Sequence, residues 1–288
     1  MQESTEIKAL ISLLDDPDQV VFMEVSNKIV SLGPEVIPNL EQAWQQVHDP
    51  LLQERVENLI HKIQFSTTSV QLEKWYSEGA KDLLQGAIIL NKYFYPDAEV
   101  SSLLTPLQKL RTQIWLELHH YLTPLETINC MNHIVFTKFD YKGDSKYAEQ
   151  IESNLLIHTL NNKKGSPIAL SLLYLIVAQQ LNLPIFGVNL FKHFVVCYCT
   201  ENIQNFDEPN TNKILFYINP FNRGEVFGSK DIDNYLSKID ALPNKENYAP
   251  CSTCEVLKTC IEMLILAYEK ENKTAEAEEL MQLKNILQ

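Results

Sequence analysis

The segment that most constrains the fold is an almost unbroken apolar run that follows a Gly-Ser-Pro turn. It begins at Pro167 and continues Ile-Ala-Leu-Ser-Leu-Leu-Tyr-Leu-Ile-Val-Ala-Gln-Gln-Leu. Ser166 is a good N-cap, and proline suits the first helical position because the N–H that it lacks would be unpaired there anyway. The pattern predicts a helix that is apolar on nearly every side and is therefore buried on most of them. The rest of the chain must supply the layers that cover it.

The residues after this helix predict a small sheet. Leu183-Pro184 ends the helix, and residues 185–198 are rich in Val, Ile and Phe, which favours one or two strands. A mostly polar segment, residues 200–213, predicts a loop, and residues 214–218 predict a strand that returns beside the first. We expect an α+β fold that is rich in helix and contains a small antiparallel sheet.

His193 lies on one of these predicted strands, where it is a candidate general base. Alternation places it on the same strand face as Val195, Cys197 and Cys199. Cys197 lies four residues further along, which is about 13 Å at roughly 3.3 Å per residue. Its thiol is therefore out of hydrogen-bond reach and cannot be the nucleophile that His193 would activate within the strand.

The composition limits the partners and the compartment. The formal charge is −13, from 37 Asp and Glu against 24 Lys and Arg. Such a chain repels phosphate backbones and anionic lipid, so we expect no nucleic acid and no membrane as partners. The N-terminus has no secretory signal pattern, so we expect a cytoplasmic protein whose cysteines stay reduced. Cys197, Cys199 and Cys260 are then expected to be small buried apolar residues.

Cys251 and Cys254 form a Cys-x-x-Cys motif, which is a second candidate site. Such a pair can be half of a zinc site, but no second pair and no closely spaced histidines supply the remaining ligands. It can also be a redox pair, but the strand-to-helix context of a thioredoxin-like unit is not evident around it. We therefore expect no metal and no cofactor.

The first 65 residues predict paired helices. Asp-Pro breaks occur at Asp16-Pro17 and, 33 residues later, at Asp49-Pro50, with helically spaced apolar residues between them. Trp44 is among the residues predicted to point inward. Two helical hairpins at this period resemble HEAT-type repeats. Because stacked neighbours supply the core of such repeats, two of them should pack onto the next part of the chain or offer a free face to a partner.

Residues 70–139 continue the helical pattern. Trp75 and residues 83–90 are predicted to share one helix, and residues 103–121 to form a second helix around Trp115. Large aromatic side chains dominate burial, so we expect those of this region to lie in the core.

Several motifs, in this order, resemble the bacterial SirB-type branch of the transglutaminase-like superfamily. They are Asn132-His133, Lys142-Gly143-Asp144, Asn154, the run from Lys164 through Gly165-Ser166-Pro167 to Tyr174, Leu183-Pro184, Gly187-Val188-Asn189, His193-Phe194 and Ile218-Asn219-Pro220-Phe221. The resemblance implies a papain- or transglutaminase-like core, which we place with its helical lead-in at residues 70–248. HEAT-like hairpins at residues 1–65 would precede this core. A helical hairpin at residues 250–288, which resembles one tetratricopeptide-like unit, would come after it.

The resemblance also implies a set of site residues. In the superfamily, a cysteine thiolate at the start of the central helix is activated by a histidine, which an aspartate or asparagine orients. The histidine matches His193 and the third residue matches Asn219. The cysteine position, two residues after Gly165, is occupied by Pro167, which carries no nucleophile. An asparagine can orient an imidazole but does not stabilise its cation as a carboxylate would.

These substitutions favour a non-catalytic protein that acts by binding a protein or another ligand, and we expect an unknown protein as its partner. The candidate binding residues are Lys164, Ser166, Asn189 and Arg223. The alternative is an enzyme of altered chemistry, related to cysteine proteases and transglutaminases, with His193 as base and Asn219 as a residual orienting residue. Its nucleophile would come from Ser166, a distant cysteine or the substrate, although an N-cap serine has its oxygen committed to backbone N–H groups. Asn219 could equally cap the end of its strand, and Lys164 could simply be solvated.

Overall fold

The computed structural model describes residues 2–46, 49–190, 193–238 and 248–288. The chain forms two compact units, Met1–Glu73 and Lys74–Gln288. Helices dominate and the sheets are small, which confirms the predicted α+β class. The division at Glu73 lies slightly beyond the interval that the sequence suggested, between residues 65 and 70.

The first unit is helical. Its elements are α1 Gln2–Ser12, α2 Gln19–Ser31, α3 Ile37–Gln46 and most of α4, Pro50–Ser77. Its buried apolar residues form one core: Leu14, Val25, Ile29, Val36, Leu40, Val56, Leu59 and Ile63. Asp18 caps α2 by accepting a 2.8 Å hydrogen bond from the backbone N–H of Val20, as expected of the residues around the first Asp-Pro break.

Trp44 does not point inward as predicted. Its side chain is 38% exposed, and its indole N–H donates a 2.9 Å hydrogen bond to Glu57. Val36 and Leu40 are fully buried and set the core-facing stripe at this end of α3. An indole needs a partner for its N–H, and a carboxylate at the surface provides one.

The second unit holds the remaining elements. Its further helices are α5 Leu83–Phe94, α6 Ser101–Glu117, α7 Pro124–Asn132, α8 Leu156–Asn162, α9 Pro167–Gln180, α10 Ser229–Lys238, α11 Thr253–Lys270 and α12 Thr274–Ile286. Its strands are β1 Lys142–Gly143, β2 Lys164–Gly165, β3 Ile185–Leu190, β4 His193–Cys199, β5 Ile214–Asn219 and β6 Glu225–Phe227. The two C-terminal helices predicted after residue 250 are confirmed as α11 and α12.

Trp75 and residues 83–90 do not share a helix, so that prediction is wrong. Trp75 lies near the end of α4, and α5 begins only at Leu83. Between them Gly79 and Ala80 both have positive φ, +96° and +48°. Left-handed backbone of this kind ends a helix, and one of the two residues is not glycine, so its sequence signal is weak.

The main sheet has four antiparallel strands in the order β3, β4, β5, β6. The two strands, the loop and the returning strand predicted between residues 185 and 218 are confirmed. By register, Val188 pairs with Val195 and Cys197 pairs with Tyr217, so these side chains share one face of the sheet. They form a second apolar core with Leu190, Cys199, Ile203 and Ile232.

α9 is the central helix of this unit. Every residue from Ile168 to Ala178 is buried, as the apolar run predicted. The helix packs against β3 and β4, and Ser171 Oγ donates a 3.4 Å hydrogen bond to the carbonyl oxygen of Phe194. No helix in the described part of the chain is long and apolar enough to cross a membrane.

Trp115 and Tyr121, expected in the core, are exposed by 63% and 80%. The buried stripe of α6 consists of Leu103, Leu107, Leu110 and Ile114. Because successive helical residues are about 100° apart, the residue after Ile114 leaves this stripe. The expectation from aromatic size was therefore wrong at both positions.

Candidate functional site

The motifs quoted from the sequence meet around the start of α9. β1 and β2 pair in parallel, with Lys142 opposite Lys164 and Gly143 opposite Gly165. The backbone N–H of Ser166 then donates a 3.1 Å hydrogen bond to the carbonyl oxygen of Ser153. Segments more than 20 residues apart in sequence are thereby fixed next to the N-terminus of the central helix.

Gly143 allows the turn after β5 to approach β1. A Cβ atom at this position would overlap the backbone oxygen and the ring of Phe221. Only a residue without a side chain permits this contact. The Lys142-Gly143-Asp144 motif and the Asn219-Pro220-Phe221 motif are therefore packed directly against each other.

Asn132 joins the same turn to the central helix. Its Nδ2 donates a 2.7 Å hydrogen bond to the carbonyl oxygen of Gly224, and its Oδ1 accepts a 3.0 Å hydrogen bond from the hydroxyl of Tyr174. Tyr174 is fully buried in α9, and burial raises the pKa of its hydroxyl. Gly224 has φ +74°, and a Cβ there would overlap the Asn132 amide. The amide of Asn132 thus holds helix and turn together.

Asn219 caps the turn that follows β5. Its Oδ1 accepts hydrogen bonds from the backbone N–H groups of Phe221 and Asn222, at 3.1 and 3.3 Å. Of the two roles that the sequence left open, this is the cap of a strand end. An amide oxygen has two lone pairs, so this oxygen has little capacity left to orient an imidazole N–H.

Ser166 has the N-cap geometry expected of it. Its side chain is buried, and its Oγ accepts a 3.3 Å hydrogen bond from the backbone N–H of Ala169. Pro167 is the first residue of α9. The helix N-terminus therefore carries a buried capping hydroxyl and an imino acid, and neither is an activated nucleophile.

His193 is the first residue of β4 and has an exposed side chain. It pairs with Leu190 across the hairpin, and the carbonyl oxygen of the next residue, Phe194, accepts from Ser171 of α9. The imidazole is thus solvent-accessible, on a strand whose first residues lie beside the first two turns of α9. Asn189, a candidate binding residue, is exposed on β3 in the same hairpin.

Two candidate binding residues carry charges onto the surface formed by the motifs. Lys164 Nζ lies 2.8 Å from Asp144 Oδ2, and hydrogen bonding to this ammonium group holds the pKa of Asp144 below its usual range. Arg223, with φ +51°, lies 3.9 Å from Asp140, which also pairs with Lys142 at 3.1 Å. We call residues 140–144, Lys164 and the turn 219–224 the motif surface.

Two residues of this assembly were not among the predicted site residues. Asn132 was quoted only as part of a resemblance, and Tyr174 was treated as one more residue of an apolar helix. The one available signal was the hydroxyl of Tyr174, because a buried tyrosine usually needs a hydrogen-bond partner. The sequence could not identify that partner, which lies 42 residues away.

The cysteines provide no activated thiol near these residues. Cys197, Cys199 and Cys260 are buried, as predicted, and burial raises the pKa of Cys260 to about 12. Burial also raises the pKa values of Cys251 and Cys254, which favours neutral thiols near pH 7. Among the described residues, no group of three His, Cys, Asp or Glu side chains is placed to hold a metal ion.

Comparison with known proteins gives a family and distant relatives. The sequence pattern of the transglutaminase-like superfamily matches residues 101–262. F-box only protein 21 of Mus musculus is 29% identical over 119 residues, which are 39% of this chain and 18% of that protein.

Two bacterial proteins named UPF0162 protein are also similar. The one from Vibrio cholerae is 22% identical over 157 residues, 54% of each chain, and the one from Xylella fastidiosa strain Temecula1 is 26% identical over 115 residues, 40% of this chain and 41% of that one. The chain thus spans about half, or less, of the length of these relatives. No solved structure matches.

Proposed function

The chain belongs to the transglutaminase-like superfamily, and we propose that it acts by binding a protein partner through the motif surface rather than by catalysis. The observation that carries the proposal is the start of α9. The nucleophile position of the superfamily is Pro167, and the hydroxyl beside it, Ser166 Oγ, is buried and accepts from the backbone N–H of Ala169. A thiol-dependent acyl transfer cannot begin at such a helix terminus.

The state of the thiols supports the same proposal. Superfamily chemistry requires a thiolate, and thiolates form where a helix terminus or a cation lowers the pKa. In this chain burial raises the pKa of five cysteines instead: Cys130, Cys197, Cys251, Cys254 and Cys260. A distant cysteine is therefore a poor replacement for the nucleophile missing at residue 167.

The charges of the motif surface suit a protein partner. Lys164, Lys142 and Arg223 are held in pairs with Asp144 and Asp140, and their side chains remain partly or largely exposed. Exposed ion pairs contribute only about 0–1 kcal/mol each, so exchanging one for a carboxylate of a partner costs little. We propose that Lys164 and Arg223, with exposed Asn189 and His193, contact that partner.

Finer relationships are part of the proposal. We infer that the chain is of the SirB type, because its motifs occur together and in that order. The helices α11 and α12 form a hairpin tied by a 2.8 Å ion pair between Lys284 and Glu262, which suits one tetratricopeptide-like unit. The Asp-Pro spacing supports HEAT-like hairpins before the core. The acidic composition and reduced thiols support a cytoplasmic protein that binds no nucleic acid.

The proposal is tested by crosslinking from the motif surface. A photoreactive amino acid at the exposed Asn222 should capture a partner, which is then purified and titrated against the unmodified chain. The double variant Lys164→Glu/Arg223→Glu should weaken this binding at least about tenfold, because it reverses two contacting charges. Lys230→Glu on α10 is the matched control. Equal affinities for the charge-reversed variant, the control and the unmodified chain would refute binding through this surface.

One observation favours the alternative, an enzyme of altered chemistry. His193 is exposed beside the central helix, so solvent and substrate can reach its ring. A base alone is insufficient, because acyl transfer also needs a nucleophile within about 3–4 Å of it. The alternative predicts turnover that disappears in His193→Ala, whereas our proposal predicts none.

A further inference from the structure

The second unit contains a cavity at the end of α9 that is remote from Pro167. Its volume is about 630 Å³, within the range of small-molecule sites. Leu175 and Gln179 of α9, the start of β3, the start of α11 and the segment before α5 line it. Since α9 rises about 1.5 Å per residue, this end lies roughly 20 Å from Pro167. The cavity is therefore separate from the motif surface, and an inference about it does not depend on the proposed function.

The inner wall of the cavity is apolar. The large apolar residues that line it are Leu83, Leu175, Leu183, Ile185, Phe186, Ile203, Phe206 and Val256. The rings of Phe186 and Phe206 meet edge to face with centroids 5.8 Å apart. Apolar walls of this extent favour the hydrocarbon part of a ligand, at about 25 cal/mol per Å² removed from water.

The charged lining of the cavity has one sign. Among the described residues that line it, Lys81 contributes the single cationic side chain, and none is Asp or Glu. None of the ion pairs in the described part of the chain involves Lys81. In a chain with 37 acidic residues, a cavity that presents an ammonium group and no carboxylate favours an anionic ligand.

The segment that carries Lys81 is held in place by α9. Gln179 accepts a 3.0 Å hydrogen bond from the backbone N–H of Leu83 and donates a 2.8 Å hydrogen bond to the carbonyl oxygen of Lys81. Thr253 and Cys254, in the first turn of α11, line the same cavity. Their early helical position adds partial positive charge to that of Lys81.

We infer that this cavity binds a small organic monocarboxylate, with its hydrocarbon part against the apolar wall and its carboxylate toward Lys81. Octanoate is a suitable probe, and octan-1-ol has the same chain without the charge. Octanoate should bind saturably to one site per chain, as measured by calorimetry, and roughly tenfold more tightly than octan-1-ol. Lys81→Gln should remove this preference for the acid.

Two controls make the measurement specific. Lys92→Gln changes an exposed lysine on α5 that does not line the cavity, and it should leave octanoate binding unchanged. Gln204→Trp places a large ring at an exposed lining position, where it should block entry without disturbing the buried core. Both exposed sites tolerate substitution, so circular dichroism should confirm folded variants.

The thiols locate the bound ligand independently. Cys251 and Cys254 line the cavity, whereas Cys130 on α7 is partly exposed and does not. Octanoate should slow alkylation of Cys254 by iodoacetamide at least about threefold, measured residue by residue by mass spectrometry. Alkylation of Cys130 should be unaffected. No saturable octanoate binding, binding that Lys81→Gln and Gln204→Trp leave unchanged, or equal protection of Cys130 would each overturn the inference.

Discussion

At the scale of single residues, the motifs of this chain serve the architecture. Asn132 connects Tyr174 in α9 to Gly224 in the turn after β5. Ser166 and Asn219, which resemble or adjoin reactive positions, accept backbone N–H groups. Motif residues can therefore persist for their geometry alone, and a motif match is weak evidence for chemistry when the nucleophile is absent.

Asn132→Ala should destabilise the fold by about 2 kcal/mol, because it leaves the buried hydroxyl of Tyr174 without its acceptor. The free energy of unfolding in urea measures this change. Tyr174→Phe removes the hydroxyl itself and serves as the matched control. The double variant should cost less than the sum of the two single variants, and strict additivity would show that the two side chains are not coupled.

Lys164→Gln should raise the pKa of Asp144 toward its ordinary value, since hydrogen bonding to Lys164 is the main cause of its lowered pKa. A carboxyl whose pKa is lowered by folding adds stability above its unfolded pKa and loses it as the pH falls through the folded value. The variant should therefore lack this acid-range contribution. NMR titration of the Asp144 carboxyl measures the shift, and an unchanged pKa would contradict the assigned cause.

At the scale of elements, the sequence predicts α9 and the main sheet well. The apolar run after Pro167 predicts a buried helix, and residues 185–218 predict the antiparallel strands, because both patterns are strong and local. The break at Gly79 and Ala80 is missed because Ala80 rarely adopts a left-handed conformation. Trp115 is misplaced because size alone does not identify the stripe of α6 that meets its neighbours.

The candidate site is only partly predictable for the same physical reason. Ser166 as an N-cap depends on its next neighbours, so the sequence predicts it correctly. The partners of Asn132 and Gly143 lie 92 and 78 residues further along the chain and depend on tertiary packing. No local pattern encodes a contact at that separation.

Ser166→Ala should destabilise α9 by about 1 kcal/mol, because the helix loses its N-cap. Ser166→Asp should retain much of the capping, since a carboxylate can accept the same backbone N–H. Thermal unfolding of both variants provides the measurement. Equal stability of Ser166→Ala and the unmodified protein would contradict the capping role.

Gly143→Ala should cost about 1–3 kcal/mol, because its Cβ would overlap Phe221 and force the turn after β5 away from β1. Gly228→Ala is the matched control. Its Cβ would meet only Asp231 Oδ2, at 3.8 Å, so it should change stability little. Chemical denaturation of the pair distinguishes a steric contact from a general effect of replacing glycine, which would destabilise both variants alike.

At the scale of the whole molecule, the chain combines an acidic helical unit with a transglutaminase-like unit. Residues 1–73 contain 12 Asp or Glu against 4 Lys or Arg, so much of the net charge lies there. That distribution supports the proposal of a protein rather than a nucleic-acid partner. The second unit retains the central helix and sheet of its family, but the helix begins without a nucleophile.

The central claim is that this architecture binds without catalysing acyl transfer. The most direct test is ammonia release from a panel of glutamine peptides with and without a primary amine, using the unmodified protein and His193→Ala. We predict no release above the protein-free background for either protein. Release by the unmodified protein that is abolished in His193→Ala would contradict the claim and establish His193 as a catalytic base.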